Sequence, residues 1–266
     1  MPLTDPFART LAGAFLSVIV VLAARRTRTL SPSGAVAGAV VGTICVSAGW
    51  SWGALLLALF VSASALSRTG ERTKAARVSP IVEKGGERDA GQVLANGGVF
   101  AVGALAQLVF PSPLWFAAGA GAIAASAADT WATEVGTLSS TDPVSILSGR
   151  KVPAGTSGAV TLIGCAAGLA GAMFIAAGAT LAHWPAPFAA VALGGLAGTL
   201  ADSLLGATLQ ARRWCDVCAV GTERMVHRCG TSTRHAAGLR GFDNDLVNAV
   251  CSAVGALVAL ALSRMT

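Results

Sequence analysis

Long runs of apolar residues alternate with short polar connections along almost the whole chain. The runs cover roughly residues 8–24, 33–49, 51–67, 91–110, 114–135, 157–181, 187–208 and 244–263. Each is about as long as the stretch that an α-helix needs to cross the hydrocarbon core of a bilayer. Because apolar residues fill these runs instead of forming a stripe, the pattern predicts an all-α, polytopic membrane helix bundle with about eight transmembrane helices.

The composition agrees with a membrane protein. The chain has 266 residues, of which 54% are hydrophobic and 12% charged, whereas soluble domains carry about 25% charged residues. The 32 glycines are typical of helices whose backbones approach closely in lipid. We expect residues 1–266 to form one integral membrane domain that contains 209–243 as a loop. The net charge of +6 is not accompanied by a basic face with interleaved aromatics, so nucleic acid is not an expected partner.

Positive charge is distributed unevenly between the connections. Of the 19 Lys and Arg residues, 17 lie in the long connections and only Arg9 and Arg264 lie elsewhere. The long connections are residues 25–32, 68–90, 136–156 and 209–243. Positively charged loops remain on the cytoplasmic side, so the pattern predicts cytoplasmic long loops and both termini on the opposite side.

Two pairs of segments resemble each other. Residues 121–130 align without a gap on residues 194–203, so that Asp129 corresponds to Asp202. A shorter match relates residues 33–36 to residues 157–160. Both members of each pair cross the membrane in the same direction in the predicted topology. The pattern therefore indicates a parallel internal repeat, with chance similarity in an Ala- and Gly-rich chain as the alternative.

Polar residues gather near the predicted cytoplasmic ends of the helices. An ionised acid in hydrocarbon costs roughly 2.5–3.5 kcal/mol, so an acid at such a place has a function or a partner. Carboxylate and amide oxygens are ligands that Mg²⁺ prefers, with nucleotide phosphates supplying the other oxygens. A Mg²⁺ site is therefore predicted, and the alternative is that these groups only hydrogen-bond helices together. The residues are Asn96, Asp129, Glu134, Asp202, Asn244, Asp245 and Asn248.

The spacing of these residues limits which of them can act together. Asp129 and Glu134 project roughly 140° apart on a regular helix. They can share one site only if the helix breaks near Thr133. In an unbroken helix, each acid contacts different residues. Asn244 and Asn248 are four residues apart and share a helix face.

Two glycine-rich loops precede predicted helices on the same side. Free backbone N–H groups at a helix start, with hydroxyl and cationic side chains nearby, can bind an anion. Neither loop is a Walker P-loop, and flexible basic loops that obey the positive-inside rule are the alternative. The first loop contains Lys84 and Arg88, and the second contains Arg150, Lys151, Gly155, Thr156, Ser157 and Gly158.

The last long loop contains metal-ligating side chains. Cys215 and Cys218 are followed, after eight residues, by His227 and Cys229. This spacing and these residue types are those of a structural zinc knuckle. A disulfide is disfavoured in a reducing cytosol, so Zn²⁺ is predicted, with ordinary thiols as the alternative. His235 is predicted to be a surface residue.

The motifs together resemble one family. They are residues 128–136, 155–158, 201–206, the Cys/His loop and 243–248, and they occur in this order. This combination is similar to the integral membrane family catalogued as domain of unknown function 92, which includes transmembrane protein 19 of animals. The resemblance covers nearly the whole chain, from Ser33 to Asn248.

The resemblance implies an activity. In plants and cyanobacteria a member of this family is the phytyl-phosphate kinase of tocopherol and phylloquinone synthesis, similar in style to the CTP-using phytol and dolichol kinases. Phosphoryl transfer from a nucleotide, CTP above all, to an isoprenyl monophosphate is therefore expected, with the lipid bilayer as the surroundings. Such transfer needs positioning and charge neutralisation.

Roles for individual residues follow from that expectation. Asp129, Asp202 and Glu134 are expected to hold Mg²⁺. Lys84, Arg88 and Lys151 are expected to neutralise phosphates. The other expected substrate- or nucleotide-binding residues are Asn96, Thr130, Gly155, Thr156, Ser157, Gly158, Ser203, Gly206, Asn244, Asp245 and Asn248.

Two other classes of protein compete with the kinase. One is a secondary transporter whose acids carry protons or a cation, and the other is a lipid-binding scaffold whose acids only pair with Lys or Arg. The acids cluster at helix ends instead of the membrane midplane, and the repeat is not inverted. Both features favour the kinase.

Overall fold

A computed structural model describes residues 5–78 and 86–265 and confirms a polytopic helical membrane protein. Six helices within these ranges are long and apolar enough to span a bilayer, namely α1, α3, α5, α7, α8 and α9. The helices of the described chain are α1 (Pro6–Arg26), α2 (Pro32–Ala48), α3 (Trp50–Arg68), α4 (Glu71–Val78), α5 (Ala90–Val109), α6 (Pro113–Gly136), α7 (Leu162–Leu181), α8 (Phe188–Thr208) and α9 (Asn244–Ser263).

Helix α6 forms the centre of the bundle, with α5, α7, α8 and α9 packed around it. All residues from 119 to 128 are buried, although most of them are Ala or Gly. A Cβ atom at Gly121 would lie 2.3 Å from the carbonyl oxygen of Gly255 on α9. The two backbones are therefore in contact, which small residues permit and larger ones would prevent.

Helix α8 packs on α9 in the same way as α6. A Cβ atom at Gly194 would lie 2.7 Å from the same Gly255 oxygen, and both Gly121 and Gly194 face Ala259. Asp129 and Asp202 then lie at the same end of the two helices, because α6 and α8 run in the same direction. Equivalent glycines on parallel helices are what the repeat predicts.

Aromatic side chains pack together at the end of the bundle opposite to Asp129 and Asp202. Trp52 of α3 packs against Phe100, Phe116 and Trp184, with ring centroids 4.6–5.6 Å from its own. The indole N–H of Trp184 donates to the Ser51 hydroxyl at 2.9 Å. This end is therefore held by a large buried apolar cluster.

The long connections meet at one end, as their predicted topology requires. Backbone hydrogen bonds join residues 29 and 31 to Arg88, and Arg77 donates to the carbonyl of Thr137 at 3.1 Å. Short strands that were not predicted lie within these connections. They are β1 (Val144–Ser145) paired with β2 (Ala159–Val160), and a sheet of order β4-β3-β5 formed by β3 (Arg212–Cys215), β4 (Val220–Thr222) and β5 (Arg234–Ala237).

Two elements differ from the predicted pattern. Helix α7 begins at Leu162 and not at residue 157, because Gly158 has a φ of +76° and the Thr161 side chain caps the helix by accepting from the Gly164 N–H at 3.0 Å. Helix α4 lies in a stretch predicted to be a loop. The apolar pattern did not predict this helix, because most of its residues are charged or polar.

Candidate functional site

The carboxylates of Asp129 and Asp202 face each other between α6 and α8. Their side chains are in hydrogen-bond contact, and Thr199 Oγ1 donates to Asp129 Oδ1 at 3.4 Å. The second oxygen of Asp202, Oδ2, is buried and has no hydrogen-bond partner among the described residues. Two carboxylates in contact repel each other unless a proton or a cation lies between them. Their oxygens fit a hard divalent cation.

Helix α9 closes this site on a third side. Cys251 lies within electrostatic reach of both aspartates, and Asn248 is half-buried one turn nearer the helix start. The carboxylate of Asp245 packs on α5, because a Cβ atom at Gly91 would lie 2.4 Å from Asp245 Oδ2. Asn244 is exposed. Of the polar residues that open α9, Asn248 therefore lies nearest to the carboxylate pair along the helix.

Glu134 contacts different residues from those that Asp129 contacts. Helix α6 continues unbroken to Gly136, so the two acids project in different directions. Lys74 Nζ lies 2.5 Å from Glu134 Oε2, and the Ser67 hydroxyl donates to Oε1. Lys74 is only 7% exposed. The structure thus gives Glu134 a buried cation of its own and does not bring it into contact with Asp129.

Arg88 lies immediately before α5 beside this ion pair. Its guanidinium donates to Ser64 Oγ at 3.1 Å and to Ser67 Oγ at 3.0 Å. Burial lowers the pKa of Arg88, and the neighbouring Glu134 carboxylate opposes that shift. A half-buried guanidinium that lines a cavity is suited to bind an anion there.

An apolar cavity of about 350 Å³ extends between α1, α2, α3 and α5. Val21, Val41 and Phe60 are among its apolar lining, while its polar lining comprises Ser17, Arg88, Gln92, Asn96 and Thr130. The Asn96 side chain itself donates to the carbonyl of Gln92 at 3.0 Å. Thr130 follows Asp129 directly on α6, but successive residues of a helix point about 100° apart, and neither Asp129 nor Asp202 lines the cavity. The cavity and the carboxylate pair therefore lie at the same turn of α6 and on different faces of it.

The loop of residues 155–158 rests on the last turns of α8 and does not begin α7. A Cβ atom at Gly158 would lie 2.4 Å from Ala207 Cβ and 2.7 Å from the Ser203 carbonyl oxygen. Gly206 contacts the same loop, since its own Cβ would lie 3.2 Å from the Gly158 nitrogen. Asp202 is one turn away from this contact.

Side chains of the loop make their own contacts. Ser157 Oγ donates to Glu223 Oε1 at 2.6 Å, and Thr156 Oγ1 donates to the Pro153 carbonyl at 2.7 Å. Lys151 forms an exposed ion pair with Asp142 at 3.2 Å. Lys84 lies outside the described residues.

The structure brings all four predicted zinc ligands together. The ligand atoms of Cys215, Cys218, His227 and Cys229 lie within 4.8 Å of one another. Hydrogen bonds from Thr231, and then from His227, lower the pKa of the Cys229 thiol to about 6. His235, predicted to be a surface residue, is half-buried on β5 and its Nε2 is inaccessible.

Three residues beside the site were not anticipated. Thr199 occupies the position in 194–203 that Ser126 holds in 121–130, so the repeat could have revealed it. Lys74 lies in a charge-rich stretch where nothing distinguishes it from its neighbours. Glu223 has no sequence signal, because its contact with Ser157 exists only in the folded chain.

The fold and the site define a polytopic helical membrane protein with a carboxylate pair near one end of its bundle. The profile of the family described as "Integral membrane protein DUF92" matches residues 15–256, and the chain belongs to this family. It is 32% identical to Protein PGR of Arabidopsis thaliana over 93% of each chain. It is also 32% identical to an uncharacterised membrane protein of Methanocaldococcus jannaschii, covering 76% of this chain and 86% of that protein.

A third relative is an uncharacterised membrane protein of Synechocystis, 33% identical over 76% of this chain and 79% of that protein. No solved structure matches the chain.

Proposed function

We propose that the protein is a membrane-embedded kinase that transfers a phosphoryl group from a nucleoside triphosphate, CTP in the first instance, to an isoprenyl monophosphate. The product is the isoprenyl diphosphate. One observation carries the proposal. Asp129 contacts the carboxylate of Asp202, while the next residue, Thr130, lines an apolar cavity. Both features lie at the same turn of α6, and in this proposal the cavity holds the isoprenoid and the carboxylate pair holds the cation.

The cavity supports an isoprenoid acceptor. Apolar side chains line most of the cavity, so an isoprenoid tail can pass from the lipid hydrocarbon into it without leaving apolar surroundings. Arg88, in the same lining, provides a cation for the phosphate of the acceptor. An acceptor phosphate is already ionised, so no strong general base is needed.

The carboxylate pair supports metal-assisted transfer. The donor set of Asp129 and Asp202 fits Mg²⁺, and the buried, unpartnered Oδ2 of Asp202 is the atom that most needs a cation. Bound Mg²⁺ would neutralise phosphate charge during transfer. The loop of residues 155–158, packed on the end of α8, offers backbone donors one turn from Asp202.

The Lys74–Glu134 ion pair has a positioning role in this proposal. Ser67 donates to Glu134 and accepts from Arg88 at 3.0 Å, so the pair holds the residue that would bind the acceptor phosphate. The nucleotide would enter from the end of the bundle where the long loops lie, which we propose is cytoplasmic.

The test is an assay of the detergent-purified protein with Mg²⁺ and labelled CTP or ATP. Phytyl, geranylgeranyl, farnesyl and undecaprenyl monophosphates are the acceptors, and the free alcohols are controls. We expect label in an isoprenyl diphosphate, and its loss in Asp129→Asn. Folded protein that labels no acceptor, or an active Asp129→Asn variant, would overturn the proposal.

Contact between two acids within a helix bundle also favours a second candidate, a transporter that carries a proton or a cation. Flux of protons or Na⁺ into liposomes that disappears in Asp202→Asn would identify it. The kinase proposal expects no such flux.

A further inference from the structure

Residues 209–243 form a small lobe whose interior is polar. All of its buried residues are polar or sulfur-containing, namely Gln210, Cys215, Thr222, His227 and Thr233. Val217, Met225, Val226 and Leu239 are between 53% and 70% exposed, and the other larger apolar side chains, Leu209, Trp214, Val220 and Phe242, are only half-buried. A unit below about 40 residues with no apolar core usually needs disulfides or a metal to be stable. The lobe therefore requires a cross-link at its centre.

Cys215, Cys218, His227 and Cys229 occupy that centre. Cys215 Sγ lies 3.6 Å from Cys229 Sγ, and His227 Nδ1 lies 3.3 Å from Cys229 Sγ. Two thiolates on a tetrahedral Zn²⁺ are about 3.8 Å apart, given Zn–S bonds of about 2.3 Å. The measured sulfur separation is close to that value and far above the roughly 2.05 Å of a disulfide.

Two tight turns bring the four candidate ligand side chains together. The β3–β4 turn carries Cys215 and Cys218 and contains Ala219, whose φ is +52°. The second turn carries His227 and Cys229 and is closed by hydrogen bonds from His227 N to Thr231 O and from Gly230 N to His227 O, both 2.9 Å. Paired ligands on two tight turns are the arrangement of zinc knuckles.

From this geometry we propose that the lobe binds one structural Zn²⁺ through Cys215, Cys218, His227 and Cys229. Four protein ligands complete a tetrahedral coordination shell and leave no position for substrate, so the role is structural. The metal would supply the stability that the lobe cannot obtain from apolar burial.

The lobe also touches the proposed kinase site. Glu223 follows β4, and its Oε1 accepts from Ser157 at 2.6 Å and from Gln210 at 2.8 Å. Ser157 belongs to the loop that packs on α8. If the proposed function is correct, loss of the metal would loosen this loop and weaken nucleotide binding. The zinc proposal itself does not depend on that function.

The first experiment is elemental analysis of the full-length protein, purified in detergent without chelators or metal-affinity resin. We expect about one zinc per chain. Cys218→Ser and Cys229→Ser should each lose most of it. Cys165→Ser is the matched control, because this exposed cysteine lies on α7 outside the cluster, and it should keep the full content.

The second experiment is thiol alkylation followed by mass spectrometry. Cys218 and Cys229 are exposed in a loop outside the membrane-spanning helices, so they should be alkylated rapidly unless a metal protects them. We expect protection that a strong chelator abolishes. Wild-type protein with well under 0.1 zinc per chain, or alkylation of Cys218 and Cys229 that is no faster after chelation than before it, would overturn the proposal. So would a disulfide between Cys215 and Cys229. None of these measurements uses a nucleotide, so they fail or succeed independently of the kinase assay.

Discussion

Segments 121–130 and 194–203 are alike up to their aspartates and differ in the turn that follows. Each presents a glycine to the carbonyl of Gly255, and their aspartates meet. Beyond Asp129, helix α6 leads to Glu134, which is paired with the buried Lys74. Beyond Asp202, helix α8 leads to Gly206 and the loop of residues 155–158.

The difference shows that the partner of an acid in this bundle decides its role. An acid with its own cation is a structural link, because removing either partner leaves a buried charge. Two acids in contact need an added cation or proton. The comparison thus separates an anchoring turn on α6 from the turn on α8 that we propose binds ligands, and four experiments can test that separation.

The largest expected effect comes from Lys74→Met. This change leaves Glu134 without its cation, and breaking a buried pair costs about 3–5 kcal/mol of unfolding free energy. Denaturant unfolding in detergent would measure it. Lys151→Met is the matched control, because the Lys151–Asp142 pair is exposed and such pairs contribute at most about 1 kcal/mol. Equal losses in the two variants would remove the distinction between the buried and the exposed pair.

The next effect is on turnover in Asp129→Asn and Asp202→Asn. Metal-assisted charge stabilisation contributes several kcal/mol, so each variant should be at least about 100-fold slower in the kinase assay. The double variant should be little slower than either single variant, because residues that act as one unit are not additive. Multiplicative losses would show that the two acids work separately.

Gly158→Ala should cost about 2 kcal/mol of stability and weaken nucleotide binding, because the new methyl group would overlap Ala207 and the Ser203 carbonyl. Gly149→Ala is the control. Its φ of +65° is similarly strained, but no atom lies within 4 Å of the added methyl. A smaller loss, about 1 kcal/mol, is expected there. Thermal unfolding would measure the loss of stability in both variants, and the KM for CTP would measure nucleotide binding. The difference between the two variants is the effect of the steric overlap, because both carry the backbone strain.

The smallest effect is stabilisation by Mg²⁺ alone. A ligand at ten times its Kd stabilises the folded state by about 1.4 kcal/mol. Adding Mg²⁺ should therefore raise the melting temperature of the wild-type protein but not that of Asp202→Asn. Glu134→Gln should keep the response. If Glu134→Gln abolished the rise in melting temperature that Mg²⁺ causes, we would conclude that the metal binds at the anchoring turn.

The helices could be predicted because lipid leaves the backbone few alternatives. With no water to satisfy N–H and C=O groups, each apolar run forms a helix, and the eight predicted runs correspond to α1–α3 and α5–α9. The parallel arrangement of α6 and α8 followed from the predicted topology, in which one membrane crossing lies between them.

The residues that surround the site could be predicted only in part. The Cys/His spacing predicted four converging side chains, because two short turns fix their relative positions. Lys74 and Glu223 could not be found, since long-range contacts bury or bind them and their local sequence resembles a solvated loop. The predicted helix began at residue 157 and not at Leu162, because a glycine-rich sequence does not reveal the positive φ of Gly158.

The contacts of Gly121, Gly194 and Gly255 have a consequence for how such proteins can diverge. Backbone atoms set the separation of the two aspartates, so no exchange of side chains on α6, α8 or α9 can adjust it gradually. The cavity is different, because side chains such as Leu56 and Phe60 determine its size. Side-chain changes on α1–α3 can therefore alter the cavity, while the spacing of the two aspartates stays the same.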